Sequence, residues 1–548
     1  MTRAEARTGA PAVRPDGLPG VRAQLRGVTA DLAAGRNCLW LVTDAMVESG
    51  LADELYRGAL FGSPVRVDVP PPASARARAD DHLADDSFAG DSFAGEDGEE
   101  PAEWWADADE LPYLDLPDDG FDLDLGWSLD GRPPRVPAPR QPAGPRHEPH
   151  GLLARLGKEL SVDADEAVAT LVAPGHDRRP VVGIRAWAED DSGTSTSTRT
   201  SGSARARADT ATGARAGTGP RGVAVERLFR LLAAAVKAAG LTPGERPRLL
   251  VVARLRDLPE SLPDELRNGL GDTAVHWWWG VLGRLDTAIA IAPLLDHGPD
   301  TSGRDRDPLR ERIRRAVRSE TVVEICGPDL ELARRLAGEW DGAQHTLGAA
   351  LGRCLAAGSG PVPADCPPLR RVGALLRPGA ELRQAWARGA VVSWEGRLRP
   401  HAGVWHPAEG ADAAEGDGAG ADARARLTAL VSQAQQRVLA PWIEEARQHL
   451  AVRALGHLNR PAAAVVADHA DRPPAHPGGS PQRTFLELQV GELLRAHIGG
   501  AVALPQSDAR LLRLLVMARN VLSHRSVLYD RTLDDLCAEL SQADLRAR

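Results

Sequence analysis

Two spacings of apolar residues alternate along the 548-residue chain. Short, nearly unbroken apolar runs occur in "CLWLVTD" from Cys38, "RPVVGIRAWAE" from Arg179, "RPRLLVVARL" from Arg246, "DTAIAIAPL" from Asp286 and "ETVVEIC" from Glu320. Each has the length of a strand buried on both faces. Between them, "AMVESGLADELYRGAL", "VERLFRLLAAAVKAAG", "SLPDELRNGL", "DPLRERIRRAVRS" and "DLELARRLAGEW" carry apolar residues at helical intervals. The second of these stops on Gly240, a good helix-end residue. Strands alternating with helices predict a parallel-sheet α/β domain over residues 20–342.

The pattern then changes. Within residues 343–406, "AELRQAWARGAVVSWEGRLRP" predicts a helix feeding a hairpin that turns at Glu395–Gly396, a lid-like or winged-helix-like piece. Residues 425–545 hold four helical segments, enough for a small all-α bundle. Gly, Pro, Ser and Ala content marks flexible inserts at 71–148 and 190–221, a linker at 407–424 and a further break near 468–482. In "HWWWG", from His276, three adjacent tryptophans cannot all face one side of a strand. Core packing is favoured, with at least one ring left at a domain interface or partner surface.

Charge sharpens this division. The formal net charge is −10, yet Asp80 to Gly131 holds nineteen acids and no Lys or Arg, so the remainder carries +9. Arg424 to Arg548 has sixteen Arg against twelve acids, and six histidines. A basic carboxyl end can approach a polyanion such as RNA, or the chain's own acidic insert in an autoinhibitory contact. The chain shows no apolar run long enough for a bilayer and no secretory-type start, which predicts a cytoplasmic protein without a membrane partner. Cys38, Cys326, Cys354, Cys366 and Cys537 form neither a disulfide framework nor a CxxC pair. Cys326, His345, Cys354 and Cys366 lack zinc-ligand spacing, and no metal or cofactor is expected.

An α/β domain that opens with a strand, a loop and a helix invites a search for a phosphate-cradling loop. That motif needs GxxxxGK[ST], with glycines for backbone approach, a Lys for the phosphates and a hydroxyl for Mg²⁺. Here the first strand meets its helix through "VTDAMVESG", and the only lysines of the chain are Lys158 and Lys237, outside any such context. Nucleotide hydrolysis is not expected. The order of elements and the missing loop resemble the degenerate, inactive members of the STAND class of P-loop NTPases. That resemblance implies a P-loop-NTPase-like domain lacking the P-loop, acting as a sensor or scaffold.

The chemistry concentrates in "LLRLLVMARNVLSHRSVLYD", from Leu511. A stripe of Leu511, Leu512, Leu515, Ala518 and Leu522 suits burial, while Arg513, Asn520 and His524 project together from the far side, with Arg519 offset by one position. An imidazole that titrates near neutrality can move the proton of a ribose 2′-hydroxyl. A guanidinium can hold the equatorial oxygens of the phosphorane-like transition state, and an amide can orient either group. "RNVLSH" resembles the Arg-x4–6-His signature of HEPN-domain ribonucleases, including the polar residue after the Arg. The resemblance covers residues 425–545. It implies that Arg519 is the phosphate-stabilising cation, Asn520 the accessory polar group and His524 the general acid or base. It further implies a homodimer whose two motifs line one cleft, and a role as an effector in prokaryotic antiviral or toxin–antitoxin systems beside protein partners. Arg140/His147 and Arg399/His406 share the spacing but not the helical frame.

Three functions are therefore expected in descending order. The first is an inactive NTPase-like sensor joined to a metal-independent endoribonuclease. The second is a non-catalytic scaffold whose bundle dimerises or binds partners. The third is a DNA-binding regulator acting through residues 379–406.

Overall fold

The structure is a computed structural model describing residues 14–72, 151–174, 179–189, 222–269, 272–296, 307–358, 379–406, 417–471 and 479–547. The acidic insert beyond residue 72, the 190–221 insert and residues 407–416 of the linker lie outside the described residues. So does the "DHADRPPAHPGGSPQ" break over residues 472–478.

Five strands form one parallel sheet: β1 Asn37–Val42, β2 Arg66–Asp68, β3 Val181–Arg185, β4 Arg248–Arg254 and β5 Thr273–Trp277, in the order β2-β3-β4-β1-β5. β1 lies between β4 and β5, with Cys38 opposite Leu250 and Ala274, and Trp40 opposite Val252 and His276. Cys38 through Val42 are all fully buried, as a strand covered on both faces requires. Helices Pro19–Ala33 and Leu51–Phe61 pack on one another, the first also on β1 and the second on β3 and β4. Gly183 in β3 admits the ring of Tyr56, because a Cβ there would overlap the Tyr56 hydroxyl. That hydroxyl donates to Asp68 Oδ1 at 2.6 Å, and Arg185 reaches both Asp68 and Asp53 at 2.7 Å.

Two segments that read as strands are helical. "DTAIAIAPL" belongs to helix Arg284–Asp296, and "ETVVEIC" ends the nineteen-residue helix Pro308–Cys326. The second carries a nearly unbroken apolar run because it is covered on almost every side, its Glu320 and Glu324 being met by Arg284. Ile313 and Val317 enter the core of the carboxyl bundle, whereas Val322, Val323, Ile325 and Cys326 enter a middle core built with helices Leu330–Glu339 and Gln344–Ala356. A helix buried all round presents the same unbroken apolar run as a buried strand. This spanning helix packs along the 39-residue helix Asp417–Leu455, which itself contributes Val431 to the middle core and Leu439 to the bundle. The long helix starts inside the expected 407–424 linker, and the spanning helix, which lies wholly within the expected α/β range, packs into the core of the carboxyl bundle.

Helix Ala380–Ala387 and the antiparallel pair β6 Val391–Trp394 and β7 Arg397–Pro400 form the expected helix and hairpin. Glu395 and Gly396 both take positive φ (49° and 72°), the twist that suits a two-residue hairpin turn. Trp386 lies 5.2 Å from Trp277 and 6.2 Å from Trp279, ring centre to ring centre, and Trp278 lies 6.2 Å from Trp40. All three adjacent tryptophans are buried, two of them by the docking of this helix. Arg383 adds a bidentate pair with Asp264 (2.7 and 2.8 Å). Among the described residues, no helix is long and apolar enough to cross a membrane.

Candidate functional site

The helix Gln506–Ser523 buries Leu511, Leu512, Leu515, Ala518 and Leu522 in the bundle core. Its opposite face leaves Arg513, Arg519, Asn520 and Ser523 exposed, with His524, also exposed, at the C-cap. The His524 amide donates to the Asn520 carbonyl at 3.1 Å, the Arg525 amide to Leu522 and the Ser526 amide to Val521. This bond pattern ends the helix sharply and needs a left-handed residue just after the cap. Glycine usually fills that position; here it is Arg525 at φ 56°. A side chain in that conformation costs on the order of 1 kcal/mol.

Arg519 stands between two open cavities. The larger, about 410 Å³, is lined by Gln489, Glu492, Arg495, Val516, Asn520 and Asp471 among others. The smaller, about 360 Å³, is lined by Gln436, Glu444, Arg447, Leu522 and Ser523, and shares Gln489, Val490 and Arg519 with the first. The helix end thus brings Arg519 and Asn520 to one cavity and Arg519 and Ser523 to the other. His524 lines neither.

The acidic groups of these walls are internally engaged. Glu492, buried, accepts from the backbone amides of Gln489 (2.6 Å) and Asp471 (2.8 Å), and Asp471 pairs with Arg495 at 2.5 Å. Arg447, buried, bonds Glu444 from Nε (2.9 Å) and Nη2 (2.6 Å) and donates to the carbonyls of Leu486 and Leu488. The Arg447 hydrogen bonds, with the nearby charges of Arg447 and Arg519, hold the Glu444 carboxyl below its usual range. Arg519 itself makes no ion pair within 4 Å among the described residues. Its charge faces solvent and is available to an anion.

No sequence motif marks Gln489, Glu492, Glu444 or Arg447 as neighbours of Arg519. They come from two other helices and share no motif with Arg519. The readable signals were local, a capping pattern at Gln489/Glu492 and a three-residue acid–base spacing at Glu444/Arg447.

At the carboxyl ends of the sheet strands, a half-buried acid stands where a phosphate cradle would begin. Asp44, just after β1, lies 3.3 Å from Arg256 Nε, and burial pushes its carboxyl up. Arg254, at the end of β4, is held by Asp257 through two 2.9 Å bonds. Both arginines of this crevice are engaged by acids, and Glu48 adds a further negative charge beside Arg256. An incoming phosphate would have to displace them.

No family model, curated protein or solved structure matches this chain.

Proposed function

We propose that the carboxyl bundle is a metal-independent endoribonuclease of HEPN type, governed by an α/β sensor that does not hydrolyse nucleotides. The observation that carries this reading is Arg519, exposed and without an ion pair within 4 Å among the described residues, on an open double cavity, one residue from Asn520 and five from the exposed His524. In the proposed reaction a ribose 2′-oxygen attacks the adjacent phosphorus and the bond to the 5′-oxygen breaks. An imidazole takes the 2′-hydroxyl proton, and the leaving oxygen gains one. Arg519 stabilises the charge on the equatorial oxygens through paired N–H bonds. The products are a 2′,3′-cyclic phosphate and a 5′-hydroxyl. Each chain carries one motif imidazole, so a pair of bundles would supply both base and acid. In this reading the effector acts in prokaryotic conflict, in the cytoplasm, on RNA.

The coupling of sensor to effector follows from contact. Arg284 of the α/β region bonds Glu320 and Glu324 of the spanning helix and Glu395 of the hairpin turn (2.8 Å). Arg437 of the long helix reaches Glu320 at 3.1 Å and Glu395 at 3.5 Å. A shift in one region therefore meets the other through this shared charge cluster, of which only Glu324 is fully buried.

A second reading, a scaffold that uses the bundle for pairing or partner binding, is favoured by one observation: His524 lines neither cavity. The end groups of the product separate the two. The full-length protein, incubated with RNA in EDTA, should yield 2′,3′-cyclic phosphate ends. Absence of cleavage by a dimer that is demonstrably assembled would support the scaffold.

A further inference from the structure

Beneath the first helix, away from the bundle, three side chains with metal-ligand chemistry converge. Cys38 and His276 sit on neighbouring strands in registers two residues apart (Cys38 opposite Ala274, Trp40 opposite His276), so their side chains share one face of the sheet. Asp31, in the last turn of helix Pro19–Ala33, comes down on the same face. The Cys38 sulfur, one His276 ring nitrogen and one Asp31 carboxylate oxygen all lie within 4.8 Å of one another, and His276 Nε2 is 2.9 Å from Asp31 Oδ2. A tetrahedral zinc ion with bonds of about 2.0–2.3 Å sets its ligand atoms roughly 3.3–3.8 Å apart. The Asp31–His276 spacing of 2.9 Å is shorter than that value and the sulfur lies within 4.8 Å of both partners, so small side-chain rotations would bring the three atoms to it.

The surroundings order the site. Arg36 Nη1 holds Asp31 Oδ1 at 2.9 Å, which leaves Oδ2 to point at the imidazole, the outer-sphere arrangement that fixes a monodentate carboxylate. Cys38 is fully buried and makes only a 3.7 Å contact to the Val28 carbonyl, while Asp31 and His276 are partly open to solvent (24% and 16%). The cluster thus has a dry sulfur side, while the Asp31 and His276 side chains reach partly toward solvent with His276 Nε2 itself buried. One soft thiolate, one imidazole and one carboxylate is a donor set suited to Zn²⁺ rather than to Mg²⁺ or Ca²⁺.

We propose that Asp31, Cys38 and His276 form a Zn²⁺ site that ties the first helix to β1 and β5, with water as the fourth ligand. This site was not legible in the sequence, where Asp31 and Cys38 lie seven residues apart but His276 is distant from both and no ligand motif joins them. Binding forms S–Zn, N–Zn and O–Zn bonds and releases the thiol proton to solvent, with no change of oxidation state. The proposal does not rest on the ribonuclease reading, because the bundle chemistry uses no metal.

The test uses the full-length protein, freed of metal and titrated with Co²⁺ as a spectroscopic substitute and then with Zn²⁺. One equivalent of Co²⁺ should give a near-ultraviolet thiolate-to-cobalt charge-transfer band, and Zn²⁺ should displace it. Cys38→Ser should abolish the band, and His276→Ala and Asp31→Asn should each weaken binding at least tenfold. Asp31→Asn is a same-size change at a half-open helix position, so its far-UV circular dichroism should match wild type even if Cys38→Ser folds poorly. A wild-type protein that shows no such band would overturn the proposal. A band that survives Cys38→Ser, or unchanged affinity in Asp31→Asn, would do the same.

Discussion

Replacing Arg284 by Met tests how the α/β region is joined to the bundle. The guanidinium is 17% exposed and touches Glu320 (15%), Glu324 (3%) and Glu395 (38%). Breaking a buried ion pair from one side costs about 3–5 kcal/mol, because the remaining charges stay buried without their counter-ion. Here Arg437 still reaches Glu320 at 3.1 Å and Arg399 reaches the Glu324 carboxylate at 3.6 Å, and Glu395 can turn to water. The expected loss is therefore at the lower end, about 3 kcal/mol near pH 7.5. Its pH dependence has a definite sign. Burial already pushes the Glu320 carboxyl up, and losing Arg284 pushes it further. A carboxyl whose folded value exceeds its unfolded value near 4.3 keeps a proton that the unfolded chain releases, so folding is penalised as pH rises through that window. The loss should thus shrink toward pH 5. Glu395, which Arg284 holds below its usual range, contributes stability above that range and loses it only in stronger acid, so it does not blur the comparison. Urea unfolding by circular dichroism at both pH values measures the difference, and hydrogen exchange on the spanning helix and the hairpin locates it. Adding Glu324→Gln to the variant should recover part of the loss. A loss below about 1 kcal/mol, or one as large at pH 5 as at pH 7.5, would refute the account of this junction.

Two further substitutions probe the same physics elsewhere. Arg525→Gly should stabilise the protein by about 1 kcal/mol, read as a higher urea midpoint, because glycine takes the left-handed conformation at that position without a Cβ clash; an unchanged midpoint would mean the helix end is not strained. Gly183→Ala should destabilise by about 1–3 kcal/mol, since the added methyl must push Tyr56 from under β3. The same unfolding assay reads it, and a neutral result would show that the Tyr56–Asp68–Arg185 cluster can shift freely.

Much of this architecture was legible, and the reasons for the rest are physical. β1, β3 and β4 declared themselves by unbroken apolar runs, and the Leu511–Leu522 stripe by helical spacing that the bundle core confirms. "ETVVEIC" misled because local pattern records burial, and a helix pressed between two cores is buried as fully as a central strand. β2, three residues long, is too short to show a period. At the candidate site, Arg519, Asn520 and His524 could be named because they lie within six residues of one helix end. Glu444, Arg447, Gln489 and Glu492, which build the cavity walls around Arg519, come from separate helices joined only by tertiary packing. The placement of His524 at the C-cap, outside both cavities, depends on where the helix stops, and that is set by Arg525 adopting a conformation its sequence does not favour.

The central claim concerns the end of that helix, and single-turnover RNA cleavage by the full-length protein in EDTA measures it most directly. Wild type should cut. Arg519→Ala should fall roughly 100- to 1,000-fold through loss of charge stabilisation, and His524→Ala roughly 100- to 10,000-fold through loss of proton transfer, with circular dichroism unchanged for these exposed positions. Cleavage at equal rates by wild type and both variants would contradict the assignment.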